Sequence, residues 1–399
     1  MSLPRRSSSV LLDYGFRPFF LLAGGYAVLV LVLWLGRLAG ADWPGAPRNP
    51  LAWHVHEMLL GFIGAAIGGF LLTAVPNWTG RAPLTGTPLA ALVLTWLAGR
   101  LAMAFSGALP AWLVAALDLP YLIALAMRTV GELRKAGNKG QYPLVAILGL
   151  LILSNTLFHL ASAGALALSP LTPLYLILHL VVALVVLIGG RIIPAFTRNW
   201  MSAKGLKPLP VSRPPVEIAA AALTVATGLA DGVFPGSAAS GVLALAAAAA
   251  HGLRLSGWRG LATRREGLLA VLHLGYAWLV LGYVLLGLAA LGLGASRSGA
   301  LHVLTIGCLG TMVIAVMSRA ALGHTGRKLH ADRPLLLAYL LVSLGAAARL
   351  AAALAPAHYW IWLGLAGLAW SAGFGLFFLR FWPILTRPRV DVVDCHAPR

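Results

Sequence analysis

Residues 53–81 read WHVHEMLLGFIGAAIGGFLLTAVPNWTGR, an apolar run that opens with two histidines and a glutamate and closes with Pro-Asn-Trp. About 20 apolar residues are enough for a helix to cross the hydrocarbon core of a bilayer. The run therefore predicts a membrane helix whose first turns carry His54, His56 and Glu57. Ionisable groups at that depth are costly unless they are paired, face a cavity or bind a ligand, so they mark a candidate functional site.

The rest of the chain has the same apolar character. Its 399 residues are 60% hydrophobic and only 10% charged, and the mean hydropathy is +0.87, which is too apolar for a soluble domain. We predict an all-α polytopic membrane protein, a single transmembrane domain over residues 1–399 with short N- and C-terminal tails. Its twelve helices are expected at about 18–39, 54–75, 87–106, 111–131, 143–165, 172–194, 216–234, 237–256, 267–292, 300–321, 334–354 and 358–382.

The connections between these segments are short and carry turn residues, among them Pro76-Asn77. The longest, from about Arg198 to Pro215, is rich in Pro, Lys and Arg and is expected to be a loop rather than a folded domain. The N-terminal MSLPRRSSSV lacks the apolar core and small-residue cleavage site of a signal peptide, so we expect the first helix to be retained.

The net charge of +19 is explained by the membrane rather than by nucleic acid. Lys and Arg collect in cytoplasmic loops, where anionic lipid head groups balance them. When the chain is threaded with its N-terminus inside, 25 of the 30 Lys and Arg fall on the cytoplasmic side. We therefore predict that both tails are cytoplasmic. Only two cysteines occur, Cys308 and Cys395, so neither a disulfide framework nor a thiolate metal site is indicated.

This threading places several histidines at the same depth. His54 and His56 open helix 2, His179 lies in the outer half of helix 6, His302 opens helix 10, and His159 lies near the outer end of helix 5. The spacing from His56 to His179 and from His179 to His302 is 123 residues in both cases. This repeat suggests three four-helix arcs packed about a centre, with the histidines in one layer near the periplasmic face.

Imidazole suits heme iron, copper and zinc. His54 and His56 are two residues apart, so they point about 200° away from each other on a helix and should face different neighbours. An alternative is that His54 is only an interfacial polar residue. We predict heme ligands or heme contacts among His56, His302, His54 and Arg100, and ligands to copper or to a second heme among His179, His159 and His273.

Further polar groups are predicted to support these ligands. Glu57 could hold an imidazole tautomer or relay protons, although an interfacial charge at a helix start is an equally ordinary role. Buried arginines can pair with heme propionates, whereas snorkelling to the head groups is their commoner role. The predicted supporting residues are Glu57, Arg17, Tyr276 and His324. His251 and His358 lie near helix ends, and the sequence indicates no partner for either.

Five motifs in combination resemble the NnrS family. They are YGFRPFFLLAG (14–24), WHVHEMLLGF (53–62), GFLLTAVPNWTG (69–80), GGRIIPAFTRN (189–199) and VMSRAALGHTGR (316–327). The resemblance covers about residues 13–382. It implies a twelve-helix protein of the bacterial inner membrane that contains heme b and copper, handles nitric oxide and protects against nitrosative stress. The family's histidine positions fall on His54, His56, His159, His179, His273, His302 and His324.

The resemblance leaves the reaction and the electron donor open, so catalysis of nitric oxide conversion is one hypothesis among several. The layout is similar to the catalytic subunit of heme-copper oxidases and nitric oxide reductases, but helix 7 lacks their histidine pair for copper. Alternative functions are a transporter or channel that uses histidines as proton or metal sites, and a non-catalytic nitric oxide sensor or cofactor-assembly factor. The expected partners are nitric oxide and membrane lipids, and nucleic acid is not expected.

Overall fold

The computed structural model describes residues 9–390, and this part of the chain is helical and contains no strand. Twelve helices are long and apolar enough to cross a membrane, which confirms the predicted all-α polytopic architecture. They are α1 Phe16–Leu38, α2 Pro50–Thr79, α3 Gly86–Ala104, α4 Ala111–Lys135, α5 Lys139–Ser162, α6 Leu171–Ala203, α7 Pro214–Val233, α8 Ala238–Ser256, α9 Gly267–Ala290, α10 Arg297–His324, α11 Arg333–Leu354 and α12 Pro356–Thr386.

Three helices are longer than the hydropathy pattern predicts because they continue through proline. Pro76, Pro194 and Pro383 lie inside α2, α6 and α12. The predicted turn at Pro76-Asn77 is therefore wrong: α2 continues to Thr79 and ends at Gly80, whose φ of 67° is left-handed. In α2 the Asn77 side chain donates a 3.0 Å hydrogen bond to the Thr73 carbonyl, beside the Leu72 carbonyl that Pro76, which has no N–H, leaves without its i−4 bond.

The predicted loop from Arg198 to Pro215 is shorter than expected. Residues up to Ala203 belong to α6, and α7 begins at Pro214, so the connection covers only 204–213. Arg198 donates a 2.9 Å hydrogen bond to the Pro210 carbonyl, which ties the end of the helix to this connection.

Two helices change their winding next to a predicted site histidine. In α2 the segment Glu57–Phe62 is π-helical and directly follows His56. In α10 the segment Val303–Gly310 is π-helical and directly follows His302. A π-helical segment widens the turn and is frequently found at functional sites.

The chain forms two compact units. Unit 1 contains Met1–Leu174, Met317–Leu329 and Phe377–Arg399, and unit 2 contains Tyr175–Val316 and His330–Leu376. In unit 1, α1 packs on α2, α3 on α4, and α4 on α2 and α5. In unit 2, α7 packs on α8, α8 on α9, and α10 on α9 and α11. The predicted three arcs and the single transmembrane domain remain predictions.

Candidate metal centre

His56 of α2 is completely buried in unit 1, and both of its ring nitrogens face oxygen atoms. Its Nδ1 lies 2.8 Å from Glu57 Oε1, while its Nε2 lies 3.1 Å from Asn155 Oδ1 and 3.3 Å from Asp118 Oδ2. A neutral imidazole has one N–H and can donate on one side only. The second nitrogen therefore requires a positive species between it and the facing oxygens, either a proton on the ring or a metal cation.

Asp118 of α4 brings a second histidine to the same place. Its Oδ2 lies 2.9 Å from His159 Nε2 and accepts a 2.8 Å hydrogen bond from Asn155 Nδ2. One potential ligand atom each from His56, Asp118 and His159 lies within 4.8 Å of the other two, and all three residues are buried. Two imidazole nitrogens and one carboxylate oxygen form a donor set suited to a transition-metal ion.

Arg100 of α3 connects the two carboxylates of this cluster. Its guanidinium donates to Glu57 Oε1 at 2.5 Å and also to Asp118 Oδ1. Tyr26 donates its hydroxyl proton to the other oxygen of Glu57. Two carboxylates and one guanidinium leave one excess negative charge in a buried site. That charge favours a bound cation, since an uncompensated charge is costly away from water.

Glycines let the helices that carry this cluster approach one another. A Cβ atom at Gly61, in the π-helical segment of α2, would lie 2.6 Å from the Tyr26 ring and 3.0 Å from an Arg100 nitrogen. A Cβ atom at Gly99 would lie 3.1 Å from the Asp118 Cα. An alanine at Gly61 would have to displace the Tyr26 ring, and an alanine at Gly99 would need the Asp118 backbone to move by a few tenths of an ångström. The absence of side chains at these two positions therefore helps the arginine, the carboxylates and the tyrosine to meet.

Three predicted residues of unit 1 lie elsewhere. His54 stacks on Trp34, with ring centroids 4.3 Å apart and planes 13° from parallel, so it faces a different neighbour from His56, as expected. Arg17 donates 2.8 Å hydrogen bonds to the Leu385 and Arg387 carbonyls at the end of α12. The His324 ring lies 5.6 Å from the Phe16 ring. The structure thus does not bring His54, Arg17 or His324 to the metal cluster.

In unit 2, His179 of α6 belongs to a separate ion-paired cluster. Its Nε2 lies 3.1 Å from Asp231 Oδ2, which also accepts a 2.8 Å hydrogen bond from Arg297. The Arg297 guanidinium lies 4.4 Å from the centre of the Tyr175 ring. A Cβ atom at Gly228 would lie 2.9 Å from the His179 Cβ, so α7 packs directly on the helix that carries the histidine. Here the positive guanidinium already balances the carboxylate.

His302 and His273 are each held by a carbonyl of their own helix. His302 Nδ1 lies 2.7 Å from the Ser298 carbonyl, and His273 Nδ1 lies 3.0 Å from the Leu269 carbonyl. Each Nδ1 therefore donates its proton, which in His302 leaves the Nε2 lone pair available. His273 Nε2 is 3.5 Å from the Thr197 hydroxyl, whereas the structure gives His302 Nε2 no partner among residues 9–390. Such an imidazole suits an axial heme ligand.

Tyr276 lies in a network that includes His251, a histidine for which the sequence indicates no partner. His251 Nδ1 is 2.8 Å from the Tyr276 hydroxyl, and its Nε2 is 2.9 Å from the Thr224 hydroxyl. Arg254 donates to the Tyr276 hydroxyl at 2.8 Å and to Glu217. Every polar atom of the His251 ring is satisfied by hydroxyl groups, so the network is suited to holding α7, α8 and α9 together.

Four residues of these clusters, Asp118, Asp231, Asn155 and Tyr26, were not predicted from the sequence. Asp118, in AWLVAALDLPY (111–121), and Asp231, in ATGLADGVF (226–234), are acids inside apolar segments. That isolation was a usable signal, because an intramembrane carboxylate has the same significance as an intramembrane histidine. Asn155 and Tyr26 carry no comparable signal, since amides and phenols are common in helices.

Comparison with known proteins adds a family assignment. The profile of the family described as NnrS protein matches residues 10–389 of the 399, nearly the whole chain. No curated protein matches the sequence.

Proposed function

Since this chain belongs to the NnrS family, we propose that it is a membrane metalloprotein that binds nitric oxide at a metal ion held by His56, Asp118 and His159. Family membership is consistent with a function related to nitric oxide. The metal ion would supply a coordination position for nitric oxide, because three protein ligands leave such a position open. Protection against nitrosative stress is the role that we propose for this binding.

The observation that carries the proposal is the set of oxygen atoms that face the two ring nitrogens of His56. Glu57 accepts the proton of Nδ1, which leaves the Nε2 lone pair directed toward Asn155 and Asp118. A carboxylate that fixes the tautomer of a histidine in this way is a common partner of metal-bound imidazole. Arg100 in turn fixes Glu57 and Asp118. The residues around the site thus hold the donors in place.

Copper fits this donor set better than heme does. Imidazole and carboxylate both bind copper, and the set contains no thiolate. We place His56 at copper rather than at heme, because its Nε2 is directed toward Asn155 and Asp118 and the Phe158 ring stacks on the imidazole at 4.7 Å; a heme role for His56 stays a prediction. His302, with its free Nε2, is the residue that would hold a heme, which would add a second redox-active metal.

A second candidate function follows from the same observation. A proton instead of a metal ion would satisfy His56 equally well, and the cluster would then be a proton site of a transporter or channel. In the threading predicted from the sequence, α2, α6 and α10 run in the same direction, which argues against the inverted repeats of many transporters. Metal analysis distinguishes the two candidates.

The first test is metal analysis of protein purified in detergent, with copper titration of the metal-free form. We expect about one copper ion per chain at this site, with an electron paramagnetic resonance signal that shows nitrogen coupling. His159→Ala and Asp118→Asn should each lose this copper. His330→Ala is the matched control, because His330 is exposed, and it should bind copper as the unmodified chain does.

Two results would contradict the metal proposal. One is purified protein that neither contains nor takes up a transition metal at this site. The other is copper binding that survives both His159→Ala and Asp118→Asn. If copper is bound but addition of nitric oxide leaves the spectrum unchanged, the site holds a metal and the nitric oxide part of the proposal is wrong.

A further inference from the structure

Arg349 of α11 differs from the other buried arginines. Among residues 9–390, four arginines are less than 9% exposed: Arg17, Arg100, Arg254 and Arg349. Arg100 and Arg254 each pair with a carboxylate, and Arg17 is bound by two helix-end carbonyls. Arg349 is 7% exposed, and its hydrogen bond is to a neutral group, the Ser298 hydroxyl at 2.9 Å. Its NH1 is buried without a hydrogen-bond partner.

Among the described residues, no acid of unit 2 pairs with Arg349. This unit contains four, in residues 175–316 and 330–376. Glu217 pairs with Arg254, and Asp231 pairs with Arg297. Asp332 caps the start of α11. Glu266 immediately precedes α9 and lies near the start of α11 as well, since a Cβ atom at the next residue, Gly267, would contact Leu336 of α11. Arg349 lies at the other end of α11.

The groups around Arg349 form a small polar surface. Ser298 binds the guanidinium through its hydroxyl and accepts the His302 Nδ1 proton on its carbonyl. Gly299 lets α10 pack closely on α11, since a Cβ atom there would lie 3.0 Å from the Ala353 Cβ. The Ser298 side chain is exposed, so a ligand that reaches this hydroxyl also comes within reach of the guanidinium.

We propose that Arg349 and Ser298 bind a phosphate-type oxyanion. A buried cation inside a membrane span is costly unless charged or polar groups pair with it; Arg349 NH1 has no hydrogen-bond partner among the described residues, and unit 2 offers no carboxylate paired with it. The planar guanidinium matches phosphate oxygens with two parallel hydrogen bonds, and the serine hydroxyl can donate a third. The phosphate of an anionic lipid head group and a free phosphate ion carry this same chemistry, and Arg349 lies near the end of a span, where head groups are found.

The experiment uses the full chain in nanodiscs and three arginine variants. Arg349→Gln removes the charge, Arg349→Lys keeps it, and Arg265→Gln removes one charge from an exposed position. The first arm counts phosphatidylglycerol retained after partial delipidation by native mass spectrometry. The second arm measures the thermal midpoint in phosphatidylcholine nanodiscs with inorganic phosphate or with chloride at equal ionic strength.

We expect Arg349→Gln to weaken anion binding at least about tenfold, the size of one lost charged hydrogen bond. Arg349→Lys should keep part of the binding, and Arg265→Gln should keep all of it. An effect in the phosphatidylglycerol arm alone identifies a lipid head group, and an effect in the phosphate arm alone identifies a soluble ion. Equal binding by the unmodified chain and Arg349→Gln in both arms overturns the proposal.

If Arg349→Gln does not fold, a second variant of the site, Ser298→Ala, still tests the proposal. Ser298→Ala removes one exposed hydroxyl and keeps the arginine, so it should fold and bind the same anion about tenfold more weakly. Undiminished binding by Ser298→Ala together with failure of Arg349→Gln to fold would count against the site. Neither arm depends on a metal ion at His56, so failure here and failure of the proposed function are distinguishable.

Discussion

Arg100 is a single buried cation on which the candidate metal centre depends. It holds Glu57 and Asp118, which are themselves buried. Removing one partner from a buried ion pair leaves the other charge uncompensated and costs about 3–5 kcal/mol. We therefore expect Arg100→Gln to lower the free energy of unfolding by about 3–5 kcal/mol, measured by denaturant unfolding in detergent.

The control for this prediction is an arginine whose ion pair is more exposed. Arg81 pairs with Glu132 of α4, and its side chain is 41% exposed compared with 6% for Arg100. Exposed ion pairs contribute about 0–1 kcal/mol, so Arg81→Gln should change the free energy of unfolding by less than about 1 kcal/mol. Equal losses in the two variants would show that burial does not decide the strength of the Arg100 contacts.

At the scale of a helix, the π-helical turn of α2 carries a glycine that the cluster requires. Because a Cβ atom at Gly61 would lie 2.6 Å from the Tyr26 ring, Gly61→Ala should displace Tyr26 and disturb its hydrogen bond to Glu57. Loss of such a supporting contact typically reduces metal affinity 10–100-fold. We expect a reduction of about tenfold, measured by copper titration of the purified protein.

Gly64, three residues further along α2, is the matched control. A Cβ atom at this position would meet no atom within 4 Å. Gly64→Ala should therefore leave copper affinity unchanged and, since alanine favours the helix, should leave stability equal or raise it by about 0.5–1 kcal/mol. A tenfold loss of affinity in both variants would mean that the helix backbone, rather than the Tyr26 contact, controls the site.

The helices also show what hydropathy can predict and what it cannot. The twelve spans were predictable because each must be apolar over about 20 residues. Their ends were less so, since α2 and α6 continue through Pro76 and Pro194. Which residues converge could not be predicted, because hydropathy does not state which face of a helix meets which neighbour. His56 and His159 were named from the sequence, whereas Asp118, which joins them, was not.

For the whole molecule, the distribution of Lys and Arg along the sequence predicts the orientation of the chain in the membrane. Counting Lys and Arg gives an orientation in the membrane, and the alternation of twelve spans then assigns a side to every connection. Grouping into two compact units was not predictable, because the count of spans and the 123-residue spacing do not specify which helices pack together. Orientation is therefore the property of the whole chain that the sequence predicts most directly.

The predicted orientation is tested by labelling single cysteines from one side of the membrane. The background is Cys395→Ser, in which the remaining Cys308 is buried. The two reporter variants are Ala165→Cys, at a position after α5, and Lys204→Cys, at a position after α6; both positions are exposed. With cytoplasmic termini, an impermeant maleimide added to intact spheroplasts should label position 165 and should reach position 204 only after lysis. The reverse pattern would place both tails outside and would contradict the positive-inside argument, while leaving the geometry of the metal cluster unaffected.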